Sequence, residues 1–234
     1  MKTSFVSLFA CALALTAAGC ASNGSTTTTS NDSTTSARAA GAATRLEQVK
    51  PWEVGDKFTY NWVVSGKPRK VVSEIVAADG ATIMSKESTA GRSYDVLLSA
   101  QDMSYAKGVC LANGQACEFS PALVWVSLPL EPGKTWSGST TVTGETFIAD
   151  VSYERTVDKV ETVKTAAGQF EAYKVISKGR IKSTDKNGAN PSTGEERSTM
   201  WLATVNGKLV PVKIEYKNSY GERFSRELAL AEVK

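Results

Sequence analysis

The sequence predicts an all-β, mainly antiparallel domain, in the form of a strongly curved sheet or an open or half β-barrel with at most short helices. Three observations support this prediction. Apolar and polar residues alternate with a period of two through most of residues 46–234, as they do in half-buried strands. Asn-Gly and Asp-Gly pairs separate several of these runs, and both pairs favour tight hairpin turns. Capped helical segments of the kind that connect parallel strands are scarce.

The predicted strands begin close to residue 56. Asp56–Val64 places Phe58, Tyr60 and Trp62 on one face, because alternate side chains of a strand share a face. Asp79-Gly80 predicts a hairpin between the two runs that flank it. The next predicted strands are Lys70–Ala77, Ala81–Ser88, Ser93–Ser99, Gln101–Lys107, Thr135–Thr143, Thr146–Val157, Lys159–Thr165 and Gln169–Ser183. Only residues 46–49 and 122–126 could each give a short turn of helix.

The clearest alternation lies near the C-terminus. Lys208–Lys217 carries apolar side chains at every second position and lysine or glutamate between most of them. Asn206-Gly207 connects it to Met200–Val205 in a predicted hairpin, and Glu222–Val233 follows as a third antiparallel strand. Pro211 has no amide hydrogen to donate, so its strand should be bulged there or lie at a sheet edge.

The composition excludes several classes of function. The chain has 234 residues, with 27 Lys and Arg against 24 Asp and Glu, and a formal charge of +3. This nearly balanced charge does not suit a nucleic-acid-binding protein, which carries a marked positive excess. The sequence contains no histidine, so an imidazole base or an imidazole metal ligand is excluded.

The N-terminus has the pattern of a secretory signal peptide. A basic start at Met1-Lys2 is followed by the uncharged, mostly apolar stretch Phe5–Ala18, which is shorter than the roughly 20 residues of a membrane-spanning helix. The stretch ends in Ala17-Ala18-Gly19-Cys20, which resembles the lipobox of bacterial lipoproteins. That resemblance implies cleavage before Cys20 and attachment of lipid to its sulfur, so we expect Cys20 to anchor the protein in a membrane.

Three segments are therefore predicted. Residues 1–19 form a lipoprotein signal peptide that is removed, residues 20–45 form a lipid-anchored disordered linker rich in Ser, Thr and Ala, and residues 46–234 form a single β domain. Residue 21 is Ala rather than Asp, which in lipoproteins of Gram-negative bacteria implies transport to the outer membrane. We expect the domain to face the periplasm there.

Two further cysteines, Cys110 and Cys117, enclose six residues with Asn113-Gly114 at their centre. Because an exported protein matures in an oxidising compartment, this pair predicts a disulfide that staples a hairpin or small loop. The alternative is a redox pair or a metal site, for which the spacing does not fit Cys-x-x-Cys.

Catalytic and ligand-binding motifs are weak throughout. Gly133-Lys134-Thr135 lacks the earlier glycine of a phosphate-binding loop, and Asp185–Glu196 departs from a calcium loop at its fifth and sixth positions. Ser183 and Lys186 have Ser-x-x-Lys spacing without companion motifs, and Glu195 and Glu196 should point to opposite faces of a strand. We expect no catalytic residue, no metal and no cofactor.

Aromatic residues offer the best candidates for binding. Tryptophan in a β domain usually belongs to the core, but some of these side chains could instead line a cavity inside a curved sheet. The candidates for such an apolar ligand face are Phe58, Tyr60, Trp62, Trp136 and Trp201.

Several local patterns resemble a widespread group of envelope lipoproteins, the domain of unknown function numbered 3108. The patterns are Trp52-x-x-Gly55-x-x-Phe58-x-Tyr60, Pro129-Leu130-x-Pro132-Gly133-x-x-Trp136, Thr165-x-Ala167-Gly168-x-Phe170-x-Ala172-Tyr173-Lys174-Val175, and Trp201 with Gly207-x-x-x-Pro211-Val212-Lys213. The resemblance implies an open β-barrel similar in shape to the lipoprotein carriers LolA and LolB. It implies no catalytic residue.

The leading functional hypothesis is a non-enzymatic module, attached to a membrane through Cys20, that binds a hydrophobic or envelope-derived ligand on its concave face. The first alternative is an assembly protein that binds another envelope protein through an exposed strand edge. A remote alternative is a hydrolase that uses carboxylates or a Ser-Lys pair. No nucleic-acid partner is expected.

Overall fold

The computed structural model describes residues 45–89, 91–110 and 115–234, except for the side chains of Cys110 and Gln115. Its twelve strands are β1 (Lys57–Val64), β2 (Lys67–Ala78), β3 (Thr82–Thr89), β4 (Arg92–Ser99), β5 (Tyr105–Cys110), β6 (Gln115–Leu123), β7 (Thr135–Thr143), β8 (Phe147–Thr165), β9 (Gly168–Asp185), β10 (Ser192–Val205), β11 (Lys208–Asn218) and β12 (Arg223–Glu232). Within this described part, no helix is long and apolar enough to cross a membrane.

The strands form one antiparallel sheet in which each strand pairs with its neighbours in the sequence. The pairing of β1 with β12 closes this sheet into a barrel. The all-β, antiparallel and strongly curved fold predicted from the sequence is therefore confirmed, and the sheet is closed rather than open.

The predicted hairpin turns are present. Asn206 and Gly207 both have positive φ angles, of 52° and 83°, as the tight turn between β10 and β11 requires. Gly80 has a φ of 85°, and the Asp79 carboxylate accepts hydrogen bonds from the amides of Ala81 and Thr82 at 3.0 and 2.7 Å. The local turn chemistry thus set the register of these two hairpins.

Two irregularities coincide with signals in the sequence. The pairing of β10 with β11 shifts between Trp201 and Leu202, where Leu202 lies opposite Pro211 and Trp201 lies opposite Lys213. This bulge at Pro211 confirms one of the two outcomes expected for that proline. The two strands predicted at 146–157 and 159–165 are a single strand, β8, which has a bulge between Val157 and Lys159.

Three strand regions differ from the prediction. The strand predicted at Gln101–Lys107 begins only at Tyr105 and continues to Cys110, because residues 101–102 form the turn after β4. Strand β6 was not predicted, because Pro121 is unfavourable inside a sheet; in the structure the pairing of β6 with β7 ends at Ser120, just before that proline. The first half of β10, from Ser192 to Thr199, is a strand too, although its polar composition suggested a loop. Residues 46–49 and 122–126 form no helical turn.

The two ends of the barrel are different, and each is named here by its turns. The closed end carries the turns at 166–167 and 206–207, and the cavity end carries those at 144–146, 186–191 and 219–222. At the closed end β10 is buried on both faces, with Met200 and Leu202 in one apolar cluster and Trp201 and Ala203 in another. Densely packed side chains thus lie against both faces of the sheet at the closed end.

A buried ion pair is also present at the closed end. The Lys208 ammonium lies 2.8 Å from a carboxylate oxygen of Asp56, and their side chains are 1% and 0% exposed. Asp56 also accepts hydrogen bonds from the backbone amides of Glu53 and Lys234, at 2.7 and 3.0 Å. This carboxylate therefore joins β11, the segment before β1 and the C-terminus in one network.

Candidate functional site

The cavity end of the barrel encloses a cavity of about 390 Å³. Its wall is mostly apolar and is formed by inward-facing side chains from nearly every strand. The apolar part of the wall includes Val96, Val109, Phe119, Leu123, Val142, Phe147, Ala149, Val151, Ile181, Ile214 and Phe224. Ligand pockets in proteins are typically about 300–1,000 Å³, so this cavity can hold a small molecule.

Alternation along β8 builds one side of this wall. Phe147, Ala149, Val151 and Arg155 all line the cavity, because every second residue of a strand faces the interior. Farther along the strand Val157 belongs to the packed cluster that contains Met200 and Leu202. The same face of one strand therefore passes from cavity to packed core.

Two glycines make room for large side chains near the cavity. A Cβ atom at Gly138 would lie 2.4 Å from the Tyr153 hydroxyl, and one at Gly179 would lie 2.8 Å from Cγ of Glu196. Each glycine lies directly opposite the residue it accommodates on the neighbouring strand. Any larger residue at either position would displace these side chains.

The floor of the cavity contains the buried cation Arg155, which is 3% exposed. Its guanidinium donates hydrogen bonds to the carbonyl of Val124 and to the hydroxyl of Ser177, the latter at 3.4 Å. It lies 4.7 Å from the ring of Trp125 and 4.3 Å from the ring of Tyr153. Burial lowers the pKa of Arg155 to about 10, so the side chain is still charged at neutral pH.

Among the described residues no carboxylate forms an ion pair with Arg155 within 4.0 Å. The carboxyl group that acts on it electrostatically is Glu196, which also lines the cavity. Burial raises the pKa of Glu196, although a hydrogen bond from the Tyr216 hydroxyl, at 3.2 Å, and the charge of Arg155 oppose this increase. The charge of Arg155 thus has no close, fixed counter-charge in this part of the chain.

The opposite wall contains a second, largely buried arginine, Arg226, which forms an ion pair with Glu87. The guanidinium of Arg226 lies 3.0 Å from the Glu87 carboxylate and 3.7 Å from the centre of the Tyr60 ring. Burial raises the pKa of Tyr60 to about 12, while the charge of Arg226 opposes that shift. Because Glu87 and Arg226 cancel each other's charge, this wall contributes little net charge to the cavity.

Three buried N–H groups of cavity-lining residues have no acceptor within the described part of the chain. They are the indole groups of Trp62 and Trp125 and the Nε group of Arg226. A buried donor without an acceptor destabilises a protein by about 1–3 kcal/mol, so donors of this kind indicate where a ligand could accept hydrogen bonds.

The residues predicted as an apolar ligand face are divided between the two ends of the barrel. Trp62 lines the cavity. Phe58, Tyr60 and Trp201 belong to one packed cluster at the closed end, and Trp136 packs against the other. The Trp201 indole donates a hydrogen bond to Glu161 at 2.7 Å. Alternation places Phe58 and Trp62 on one face of β1, but it carries no information about the level at which the interior is filled. Trp201 lies on the face of β10 opposite to the cavity-lining Glu196 and Ser198.

Arg155, Glu196, Trp125 and Arg226 were not recognised from the sequence as cavity residues. One signal could have identified Arg155: it shares a strand face with Tyr153 and Val157, so a charged residue interrupts an apolar face. Glu195 and Glu196 do lie on opposite faces, as expected, since Glu196 lines the cavity and Glu195 is exposed.

Other sequence predictions concern different regions. Cys20, the signal peptide and the linker lie outside the described residues apart from Arg45. Cys110 and Cys117 lie on the β5–β6 hairpin, where Cys110 pairs with Gln115 and Gly108 pairs with Cys117, and their disulfide stays a prediction. Within the described ranges, no three Cys, Asp or Glu side chains are grouped so as to hold a metal ion.

Two solved structures are similar to this chain, and the first of them shares its fold. A Bacteroides fragilis protein, described as a predicted exported protein with a YmcC-like fold, is 15% identical over 79% of this chain and 98% of its own, with a TM-score of 0.51. A Parabacteroides distasonis protein described as a predicted lipoprotein is 14% identical over 78% of this chain and 97% of its own, with a TM-score of 0.47. No curated protein matches the chain.

The family comparison concerns the region from β6 to β12. Residues 120–227 match the family model described as "Protein of unknown function (DUF3108)". This match covers three of the four patterns on which the resemblance was based, and the Bacteroides fragilis structure shares the fold. The resemblance of this chain to the DUF3108 group is confirmed.

Proposed function

We propose that this protein is a non-enzymatic lipoprotein of the bacterial envelope whose barrel binds a hydrophobic ligand. The observation that carries the proposal is the cavity of about 390 Å³, with its mostly apolar wall, inside a barrel whose other end contains two packed apolar clusters. Binding of an apolar molecule in a cavity of this size is favourable, because it removes the apolar surface of the molecule and of the wall from water.

The proposed location is the periplasmic face of the outer membrane, with Cys20 as the lipid anchor. It rests on the signal pattern that ends at Cys20 and on Ala21. The description of the Bacteroides fragilis protein as exported agrees with a location in the envelope. We include the disulfide between Cys110 and Cys117 in this proposal, because it requires an oxidising compartment.

The alternatives have less support. Each of the twelve described strands pairs with a neighbour on both sides, which leaves less strand edge for a protein partner than an open sheet would. The hydroxyl of Ser183 forms a hydrogen bond with Ser192 at 2.8 Å, and Glu195 and Glu196 point to opposite sides of the sheet. Neither set forms a catalytic arrangement.

Photo-crosslinking in envelope membranes tests the proposal on the complete, membrane-anchored protein. We expect hexadecanol with a diazirine on its chain to label peptides that contain cavity residues. The substitution Ala149→Phe places a ring inside the cavity and should reduce this labelling at least about tenfold. Ile148→Phe is the matched control, because Ile148 is the next residue on β8 and is 37% exposed on the outer face.

Labelling confined to the outer surface of the barrel would contradict a binding function, and so would equal labelling of the two variants. Circular dichroism and thermal unfolding of both variants show whether each one retains the fold. If Ala149→Phe does not fold, Ala149→Leu provides a smaller obstruction at the same position, for which we expect an intermediate loss of labelling.

A further inference from the structure

The position of Arg155 restricts the chemistry of the ligand. Arg155 lies in the floor of an apolar cavity and carries a full charge that no described carboxylate neutralises at close range. Guanidinium groups removed from water are normally paired with an anion, because an isolated buried charge is strongly destabilising. An anion that enters the cavity would supply this missing partner.

A second donor lies beside this cation. The Trp125 ring is 4.7 Å from the Arg155 guanidinium, and its buried indole N–H has no acceptor within the described part of the chain. Trp125 also packs against the closed-end cluster that contains Met200 and Leu202, so it separates the cavity from the packed core. The floor therefore presents a cation together with an N–H donor that lacks an acceptor.

Other charged groups around the cavity do not replace an external anion. Glu196 acts on Arg155 electrostatically, but it lies beyond the 4.0 Å of an ion pair, and its carboxyl oxygen accepts a hydrogen bond from the Tyr216 hydroxyl. The carboxylate of Glu87 is engaged by Arg226, and that of Glu222 accepts a hydrogen bond from Asn218 at 2.7 Å. Each of these carboxyl groups has its own partner.

The wall between the floor and the cavity end is apolar. On β8, the cavity-lining residues that follow Arg155 toward that end include Val151, Ala149 and Phe147, and Ile181 of β9 lies opposite Val151. Residues 147 and 155 are separated by about 26 Å along the strand at the usual rise per residue. A single extended acyl chain fits a wall of this length and character.

We propose that the ligand is a long-chain fatty acid or a similar single-chain amphiphile, whose carboxylate binds Arg155 and Trp125 in the floor while its acyl chain extends toward the cavity end. This inference rests on the proposed function, because it names the class of ligand for the same cavity. Hydrogen bonds between a guanidinium and a carboxylate are strong, which makes the charged head the main source of selectivity.

The test compares two probes that differ only in the head group. Hexadecanoic acid and hexadecanol, each with a diazirine at the same carbon, are added to envelope membranes that contain the full-length anchored protein. We expect the acid to label cavity peptides about tenfold more than the alcohol at equal concentration, since one charge-assisted contact contributes about one order of magnitude in affinity.

Two variants assign this preference to the cation. Arg155→Gln removes the charge, and we expect labelling by the acid to fall to the level of the alcohol while labelling by the alcohol is unchanged. Arg155→Lys keeps a charge and should retain part of the preference. Arg180→Gln is the matched control: Arg180 is the β9 neighbour of Ser152, outside the set of cavity-lining residues, and this change should leave both probes unaffected.

The possible outcomes separate the two proposals. If neither probe labels the cavity, the proposed function fails and this inference fails with it. If both probes label it equally in the unmodified protein, the binding function is supported and the acidic head group is refuted. A preference for the acid that persists in Arg155→Gln would refute the assigned role of Arg155.

Discussion

Lys208 at the closed end and Arg155 in the cavity floor are both cations removed from water, but their surroundings differ. Lys208 has a carboxylate of Asp56 at 2.8 Å, and that carboxylate accepts two further backbone hydrogen bonds. Arg155 has aromatic rings, a carbonyl and a hydroxyl around it, but no ion pair within the described residues. A buried cation that is paired with a carboxylate indicates a structural role, whereas a buried cation beside a cavity without such a partner indicates a role in ligand binding.

The largest expected effect is that of Asp56→Asn. The substitution removes the anion and leaves the Lys208 ammonium buried without it, so the free energy of unfolding should fall by about 3–5 kcal/mol. Chemical denaturation of the protein measures this change. Glu53→Gln is the control, since Glu53 is 3.6 Å from the same ammonium but has a 58% exposed side chain, and we expect it to change stability by less than about 1 kcal/mol. If Asp56→Asn lowers the free energy of unfolding no more than Glu53→Gln does, the buried Lys208–Asp56 pair does not have the structural role given to it here.

A smaller effect is expected for Arg155→Met. This change removes a buried charge without leaving an unpaired counter-charge, and it removes the hydrogen bonds to Val124 and Ser177. The contacts of the guanidinium with the Trp125 and Tyr153 rings are lost as well, but the cost of burying the charge is also removed. The free energy of unfolding should therefore change by no more than about 2 kcal/mol, in either direction, in the same denaturation experiment. A decrease in the free energy of unfolding as large as that for Asp56→Asn would show that Arg155 serves stability rather than ligand binding.

The smallest expected effect is the pH dependence of the free energy of unfolding, which has opposite signs for the carboxyl groups of Asp56 and Glu196. Burial tends to raise the pKa of Asp56, but hydrogen bonds from Glu53, Lys208 and Lys234 outweigh it and lower the pKa, so its contribution to stability is lost as the pH falls through the folded-state value. Burial raises the pKa of Glu196. Its contribution to stability is therefore fully present below the ordinary pKa of glutamate and is lost as the pH rises through the folded-state pKa.

Replacing the Glu196 carboxyl group with an amide should therefore stabilise the protein at neutral pH. We expect Glu196→Gln to be more stable than the unmodified protein at pH 7, and we expect this difference to disappear toward about pH 4, the ordinary range of glutamate. Thermal unfolding across this pH range measures it, and the exposed Glu195→Gln is the control. Since the chain has no histidine, no imidazole titration overlaps this range. A constant difference between the two variants at all pH values would exclude an ionisation effect.

Much of the strand pattern could be predicted because it depends on local chemistry. The turn at Asn206-Gly207, the bulge at Pro211 and the strand Thr135–Thr143 all follow from backbone preferences and alternation. Strand β6 and the first half of β10 were missed, because they are polar or contain proline, and pairing with neighbouring strands stabilises them regardless of their own propensity.

The candidate site was only partly predictable. Trp62 lines the cavity, whereas Phe58, on the same face of β1, lies in a packed cluster. Trp201 lies on the face of β10 opposite to the cavity-lining Glu196 and Ser198. Arg155 was not selected, although it interrupts an apolar strand face. The level at which an interior is filled depends on residues from many strands, and no local pattern contains that information.

By itself, the sequence determined an antiparallel β domain, its main hairpins and the inward face of most strands, because these properties arise from turn geometry and from a period of two. Only the tertiary structure decided that the sheet closes, that packed apolar clusters lie at one end and an apolar cavity at the other, and that Arg155 lies in the floor of this cavity without an ion pair to any described residue. Those properties depend on contacts between residues far apart in the chain, which fix the free volume and the neighbours of each charge.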